Sequence, residues 1–261
     1  MKKISQTNLL SAERHRLLIE FINNQKNVSI ADVCEHFTIS EATARRDLDL
    51  LAERSLIERV HGGAVSKETR YNEPPVLLRE KEQYQEKKRI ALAATKLIED
   101  GETIFLGSGT TVAEVAKNLV NRKNITIITN SVLVINNLVE HPDITTIMVG
   151  GILRHSEFSL IGHLTNEALS GLRADKVIIG IHSIDPQYGL TSGYMPEIVT
   201  DRAILGIGKQ TIVLADHSKC GKVSVAFLAP VNSIDILVTD QEVSEKFESE
   251  VTAMGVKVIK A

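Results

Sequence analysis

From residue 103 to residue 259, short runs of β-branched and aliphatic residues take turns with stretches of helical periodicity, and this alternation is what most restricts the fold. The runs are 103–106, 125–129, 145–149, 176–181, 211–215, 234–239 and 256–259. The helical stretches between them include 112–120, 132–140, 166–172, 197–205 and 244–254. A strand that reaches its neighbour through a helix is joined in parallel, and parallel sheets bury both faces. The expected fold is therefore α/β: a mostly parallel sheet with helices on both faces, occupying residues 90–261.

A chain of 261 residues has room for a second, smaller domain. With 43% hydrophobic and 24% charged residues the composition is that of a globular protein. No run of apolar residues is long enough for a membrane span, and the N-terminal segment has two lysines but no apolar core of a signal peptide. Cys34 and Cys220 lie far apart and belong to no metal-ligand spacing, so the expectation is a reducing, cytoplasmic setting with no metal and no cofactor. A net charge of -3 argues against a uniformly basic surface but leaves room for a basic face. Only 4% aromatic residues, with no Trp, disfavour stacking platforms for single strands.

Residues 1–65 read differently, as short helices followed by a hairpin. Leu18, Phe21 and Ile22 share one helical face. Ser29 is placed to cap a second helix with Asp32 in its first turn, and Ile30, Val33, Cys34 and Phe37 form its apolar stripe. After the break Thr38-Ile39-Ser40, Ser40 can cap a third helix over 41–53 with Ala44, Leu48 and Leu51 inward. Two helices joined by a three-residue turn fit a helix-turn-helix, whose second helix enters the major groove N-terminus first. Ser40, Glu41, Thr43, Arg45 and Arg46 fall in that leading turn and a half. Residues 56–65 read as a wing around Gly62 and Gly63, with Arg59 and His61 facing the DNA backbone or minor groove. The alternative is an oligomerisation module with the arginines solvated and paired to Glu41 and Asp49. Residues 66–89, charged and carrying Pro74-Pro75, read as a linker running into a charged helix.

In the larger domain the sharpest local feature is Gly107-Ser108-Gly109-Thr110-Thr111, between a strand and a helix. Glycines that free backbone N–H groups, hydroxyl donors and a helix N-terminus together favour an anion; an ordinary turn is the competing reading. Neither a Walker A loop nor a dinucleotide fingerprint is present. Ligands of open parallel sheets bind beyond the carboxyl ends of the strands. Asn130, Ser131, Gly151, Arg154, His182, Thr191, Glu197, Asp216 and Lys219 lie on loops that could converge there, with Arg154 and Lys219 as phosphate partners. His182 can equally be a structural histidine, and Asp216 a turn cap.

Residues 14–65 resemble the DNA-binding domain of the DeoR/GlpR family of bacterial regulators. The resemblance rests on Val28-Ser29-Ile30-Ala31-Asp32-Val33, on Ser40-Glu41-Ala42-Thr43-Ala44-Arg45-Arg46-Asp47-Leu48 and on Arg59-Val60-His61-Gly62-Gly63-Ala64. Residues from about 75 to 260 are similar to the same family's sensor domain. There the matching pieces are Leu106-Gly107-Ser108-Gly109-Thr110-Thr111, Thr129-Asn130-Ser131, Gly150-Gly151, Gly189-Leu190-Thr191 and Leu214-Ala215-Asp216-His217-Ser218-Lys219-Cys220-Gly221. The resemblance implies a ribose-5-phosphate isomerase-like fold and a repressor of a carbohydrate operon. It also implies double-stranded operator DNA and a phosphorylated sugar or related metabolite as partners. A two-fold operator calls for a homo-oligomer, a dimer or a tetramer. One departure stands out: His182-Ser183 replaces the family's common Asp-Gly pair. An isomerase-like enzyme with an accessory DNA-binding domain is the competing reading, although no spacing compels a catalytic acid/base pair.

Overall fold

The structure, a computed structural model, describes residues 11–25, 27–53, 56–60, 62–66, 75–120 and 122–261. It divides into two compact units, Met1–Asn72 and Glu73–Ala261. His61, assigned to the wing by sequence, lies outside the described residues.

The first unit runs α1 (Ser11–Gln25), β1 (Asn27–Ser29), α2 (Ile30–Phe37), α3 (Glu41–Glu53), β2 (Ile57–Val60) and β3 (Gly63–Ser66). Ser29 starts α2 with a reciprocal cap: its hydroxyl accepts from the Asp32 amide at 3.1 Å and its own amide donates to Asp32 Oδ2 at 2.8 Å. Thr38, left-handed at φ 55°, ends α2 and turns the chain toward α3. Leu18, Ile22, Val33, Ala44, Leu48 and Leu51 meet in one core. The hairpin expected over 56–65 is β2 and β3, and β1 adds a third antiparallel strand in the order β1-β3-β2. Only glycine fits at position 63, because a Cβ there would come within 2.1 Å of the Val28 carbonyl oxygen.

The second unit begins with α4 (Val76–Arg79) and α5 (Tyr84–Thr95). It continues with β4 (Thr103–Leu106), α6 (Thr110–Lys117), β5 (Thr126–Thr129), α7 (Val132–Leu138) and β6 (Thr145–Met148). A hairpin of β7 (Ile152–Arg154) and β8 (Ser159–Ile161) leads to α8 (His163–Ser170) and β9 (Ala174–Gly180). Then come β10 (Ser183–Asp185), β11 (Gly189–Ser192), α9 (Ile198–Leu205), β12 (Gly208–Leu214), β13 (Ala226–Ala229), β14 (Ile236–Thr239), α10 (Glu245–Ala253) and β15 (Lys257–Lys260). Composition assigns residues 66–89 to a linker running into a charged helix, and α5 lies there; Val76 and Lys87 are buried in this unit, which therefore begins before the change in texture at residue 90.

Seven strands form one sheet, in the order β15-β14-β12-β9-β4-β5-β6, with every neighbouring pair parallel. Side chains alternate strictly across it. Ile104, Leu106, Ile178, Ile212 and Val238 pack with α5, α6 and α7 on one face. Phe105, Val177, Ile179, Val213 and Leu237 pack with α8, α9, α10 and a small antiparallel sheet, β10-β11-β13, on the other. The α/β sheet covered on both faces, expected from the alternation of runs, is the observed architecture.

Candidate functional site

In the first unit Ser40 caps α3. Its hydroxyl accepts from the Thr43 amide at 3.3 Å and lies 2.9 Å from the Thr43 hydroxyl. Glu41, Arg45 and Arg46 are exposed on the leading turns, with Arg45 donating to Glu41 at 2.5 Å across one helical turn. Arg59 on β2 donates to Asp49 at 2.8 Å and to the Gly63 carbonyl, which ties the wing to α3. Gly62 makes the tip of the wing at φ +82°. An exposed helix start carrying hydroxyls and guanidiniums, beside a short hairpin, can reach base edges and phosphates together.

In the second unit the loops after β4, β9 and β12, three adjacent strands, meet in a cavity that is partly open to solvent. Ser108, Gly109, Thr110 and Thr111 form one wall, Gly180 to His182 the second, and Asp216, Ser218 and Lys219 the third. Gly109, at φ +107°, precedes α6 and gives its first amides no side-chain cap. The first N–H groups of a helix have no partner inside it, so α6 directs unpaired donors at the cavity. Asp216 is occupied as a cap, accepting from the Ser218 amide at 3.0 Å.

Residues 79–87 form a further side of the cavity. Arg79 reaches both Glu157 carboxylate oxygens, at 2.6 and 2.5 Å, and Lys87 Nζ donates to the Arg79 carbonyl at 2.7 Å. Burial holds Lys87 below its ordinary pKa, against a smaller opposite pull from Asp216. An anion in the cavity would relieve that cost of desolvation.

A second, smaller cavity adjoins the first and shares Ser108 and Gly180 to His182 with it. Asn130, Glu197 and Asp201 line it. Glu197 accepts from the Ser159 hydroxyl at 2.9 Å and from Arg154, whose guanidinium stacks 4.1 Å from the centre of the Tyr194 ring. Desolvation, and after it the Glu197 carboxylate, push Asp201 well above the usual carboxylate range.

Two family profiles match the chain: a DeoR-like helix-turn-helix domain over residues 14–70 and a DeoR C terminal sensor domain over residues 82–241. The chain belongs to the DeoR family of transcriptional regulators. The glycerol-3-phosphate regulon repressor of Escherichia coli is 37% identical over 228 residues, 87% of this chain and 90% of that protein. The transcriptional repressor GlcR of Bacillus subtilis is 32% identical, covering 95% of each chain. The lactose phosphotransferase system repressor of Staphylococcus epidermidis is also 32% identical, over 91% of this chain and 96% of that one. Among solved structures, a D-ribose-5-phosphate isomerase in complex with phospho-erythronic acid is 24% identical over 52% of this chain and 54% of that one, at a TM-score of 0.40.

As a DeoR-family member the protein is a DNA-binding transcription regulator and not an enzyme. Of the residues expected in its effector site, Ser108 to Thr111, His182, Asp216 and Lys219 line the first cavity, and Gly107, Asn130, His182 and Glu197 the second. Four lie elsewhere. Ser131 caps α7, and Gly151 packs against Thr165. Thr191 accepts from the Ser224 amide, and Arg154 acts on Glu197 rather than on the Gly107–Thr111 loop. Sequence reasoning did not single out Arg79, Lys87, Glu157 or Asp201. A charged residue in a charged stretch is solvated by default, and only tertiary packing reveals otherwise. No helix among the described residues is long and apolar enough to cross a membrane.

Proposed function

We propose that this DeoR-family regulator represses a carbohydrate-utilisation operon under the control of a phosphorylated sugar or related metabolite, whose phosphate enters the first cavity. The observation that carries this reading is the uncapped start of α6 at Gly109 facing Lys87 and Lys219 across the cavity. Helix donors, hydroxyls and ammonium groups around one space suit a phosphate dianion. The names of two relatives, a glycerol-3-phosphate regulon repressor and a lactose phosphotransferase system repressor, support the same class of signal.

In this reading Ser40, Glu41, Thr43, Arg45 and Arg46 face operator DNA, with Arg59 and Gly62 on the wing and Ser29 at the start of α2; His61 is assigned to the same contact by its sequence alone. The protein acts as a symmetric oligomer on a two-fold operator. Arg79 and Lys87 belong to the segment that enters the sensor unit, so a ligand bound between them and α6 bears on the chain leading from the DNA-binding unit. A ligand with different affinities for two arrangements of that segment shifts their populations.

The test is thermal unfolding of the full chain with sugar phosphates and their unphosphorylated parents. A phosphorylated ligand at 100 times its Kd adds about 2.7 kcal/mol of stability. Stabilisation by parents and phosphates alike would sink the phosphate assignment.

A further inference from the structure

The wall of the first cavity contains an ion pair whose anionic half opposes a phosphate. Arg79 and Glu157 both line the cavity and both are buried, and Arg79 Nη2 reaches the two Glu157 oxygens at 2.6 and 2.5 Å. A phosphate beside them is repelled by the carboxylate and matched by the guanidinium, whose fork suits phosphate oxygens as well as carboxylate ones. Parting a buried pair is strongly destabilising when it leaves one charge alone. Here a second cation stands by. Nη2 of Arg154 lies 4.0 Å from Glu157 Oε1, while Nη1 of the same guanidinium bonds Glu197. A movement of about one ångström turns that approach into a charged hydrogen bond. The pair also attaches α4 to the turn between β7 and β8. The Val76 amide donates to the Ser156 carbonyl at 2.7 Å, and Arg79, at the other end of the helix, holds Glu157. Leu77 and Leu78 between them are exposed, so packing holds α4 only through its ends.

We propose that Arg79 is a ligand of the phosphate and changes partner to become one: binding draws its guanidinium from Glu157 to the phosphate, Glu157 passes to Arg154, and α4 loses one of its two attachments to the β7–β8 turn. This rests on the reading of the first cavity as the phosphate site. The exchange leaves no buried charge unpaired, because each of the two carboxylates, Glu157 and Glu197, then shares Arg154. One side chain thus serves both the ligand and the attachment of the first helix after the linker, so that filling the site and loosening α4 are the same event.

The experiment is isothermal titration of the full chain with inorganic phosphate, on the native protein, on Glu157→Gln and on the double variant Arg79→Gln/Glu157→Gln, in which neither half of the pair is left charged. Glu157→Gln removes the competitor and should bind phosphate about 10-fold tighter or more. The double variant should lose about 10- to 100-fold relative to Glu157→Gln, as the loss of a charged hydrogen bond requires. Should Glu157→Gln fail to fold, Glu157→Asp, one methylene shorter, loosens the same pair and should tighten phosphate by a smaller factor. Equal affinity in Glu157→Gln and the double variant overturns the proposal, since Glu157 then acts by repulsion alone and Arg79 does not touch the phosphate. Affinity in Glu157→Gln no tighter than in the native protein overturns the exchange and leaves the phosphate site standing. Absence of binding in all three overturns the phosphate reading and this proposal with it. Hydrogen exchange of the Val76–Arg79 segment reads the second half: saturating phosphate should speed it several-fold in the native protein and leave Glu157→Gln, already detached, unchanged. Unaltered exchange in the phosphate-bound native protein overturns the release of α4.

Discussion

Arg14 on α1 grips Asp47 on α3 at two points, Nε to Oδ2 at 2.7 Å and Nη2 to Oδ1 at 3.2 Å, and His15 adds a third contact at 2.9 Å. Asp47 is buried in the middle of α3, so this cluster fixes how α3 is presented. Burial works to raise the Asp47 pKa, but the hydrogen bonds from Arg14 and His15 outweigh it and hold the carboxyl below its ordinary value. A depressed carboxyl pKa contributes stability that is present above the unfolded value, near 3.9, and is lost as pH falls through the lower folded value. Acid unfolding of the N-terminal unit should therefore lose part of its pH dependence in Asp47→Asn, which at neutral pH should cost roughly 1–3 kcal/mol. Chemical denaturation between pH 3 and 7 checks both; identical curves for the two proteins would show that the cluster is not stabilising.

Arg45 and Arg46 are neighbours in sequence with different surroundings: Arg45 is drawn onto Glu41, and Arg46 is exposed one step round the helix. Replacing Arg46 with Ala should weaken operator binding by about 1–3 kcal/mol and relax base preference at one position. Fluorescence anisotropy on operator and scrambled duplexes separates the cases. An equal loss on both duplexes would make Arg46 a phosphate contact.

In the sensor unit, Lys219→Ala should lower affinity for the phosphorylated ligand by about 1.5–3 kcal/mol, since it removes a charged donor. Gly109→Ala tests the same wall by other means. Its Cβ would meet no atom within 4 Å, so the penalty comes from the φ of +107° alone, and relaxation would turn the α6 amides away. Titration of each variant with phosphorylated ligand, beside its thermal midpoint, distinguishes lost contact from lost fold.

The strands of the large sheet are readable as runs of β-branched and aliphatic residues, and those at its centre, such as β4 and β5, are almost wholly buried, whereas the edge strand β6 is exposed. Thr103–Leu106 was placed to the residue, and the others within a few residues. The β7–β8 hairpin and the β10-β11-β13 sheet were not. Segments such as Ser183-Ile184-Asp185 and Gly189-Leu190-Thr191-Ser192 are short and rich in small polar residues, and what makes them strands is pairing with one another rather than local preference. The Gly107–Thr111 loop announced itself through its glycines. Arg79, Lys87 and Glu157 did not, because their burial depends on partners as much as 78 residues away in sequence.

Cys220 follows the cavity loop after β12. Desolvation, and to a lesser degree Asp216 and Asp240, push its thiol up to about 12. Only thiolate reacts, so alkylation of native Cys220 by iodoacetamide at neutral pH should be roughly a thousandfold slower than in the denatured chain. Mass spectrometry of time-quenched samples reads the rate; rapid native labelling would mean that the loop opens.

The two faces of the parallel sheet give the sensor unit something like a reading frame. Phe105 and Leu106, or Val177 and Ile178, are bonded neighbours that belong to separate cores. A substitution at one such position stays on its own side of the sheet. An insertion or deletion of a single residue within β4 or β9 hands every later side chain of that strand to the opposite core. It also rotates the loop at the strand's end, and these are the loops that carry Ser108 and His182. Single-residue length changes in the central strands are thus excluded twice over, by packing and by the site, whereas the outer loops are free to vary in length.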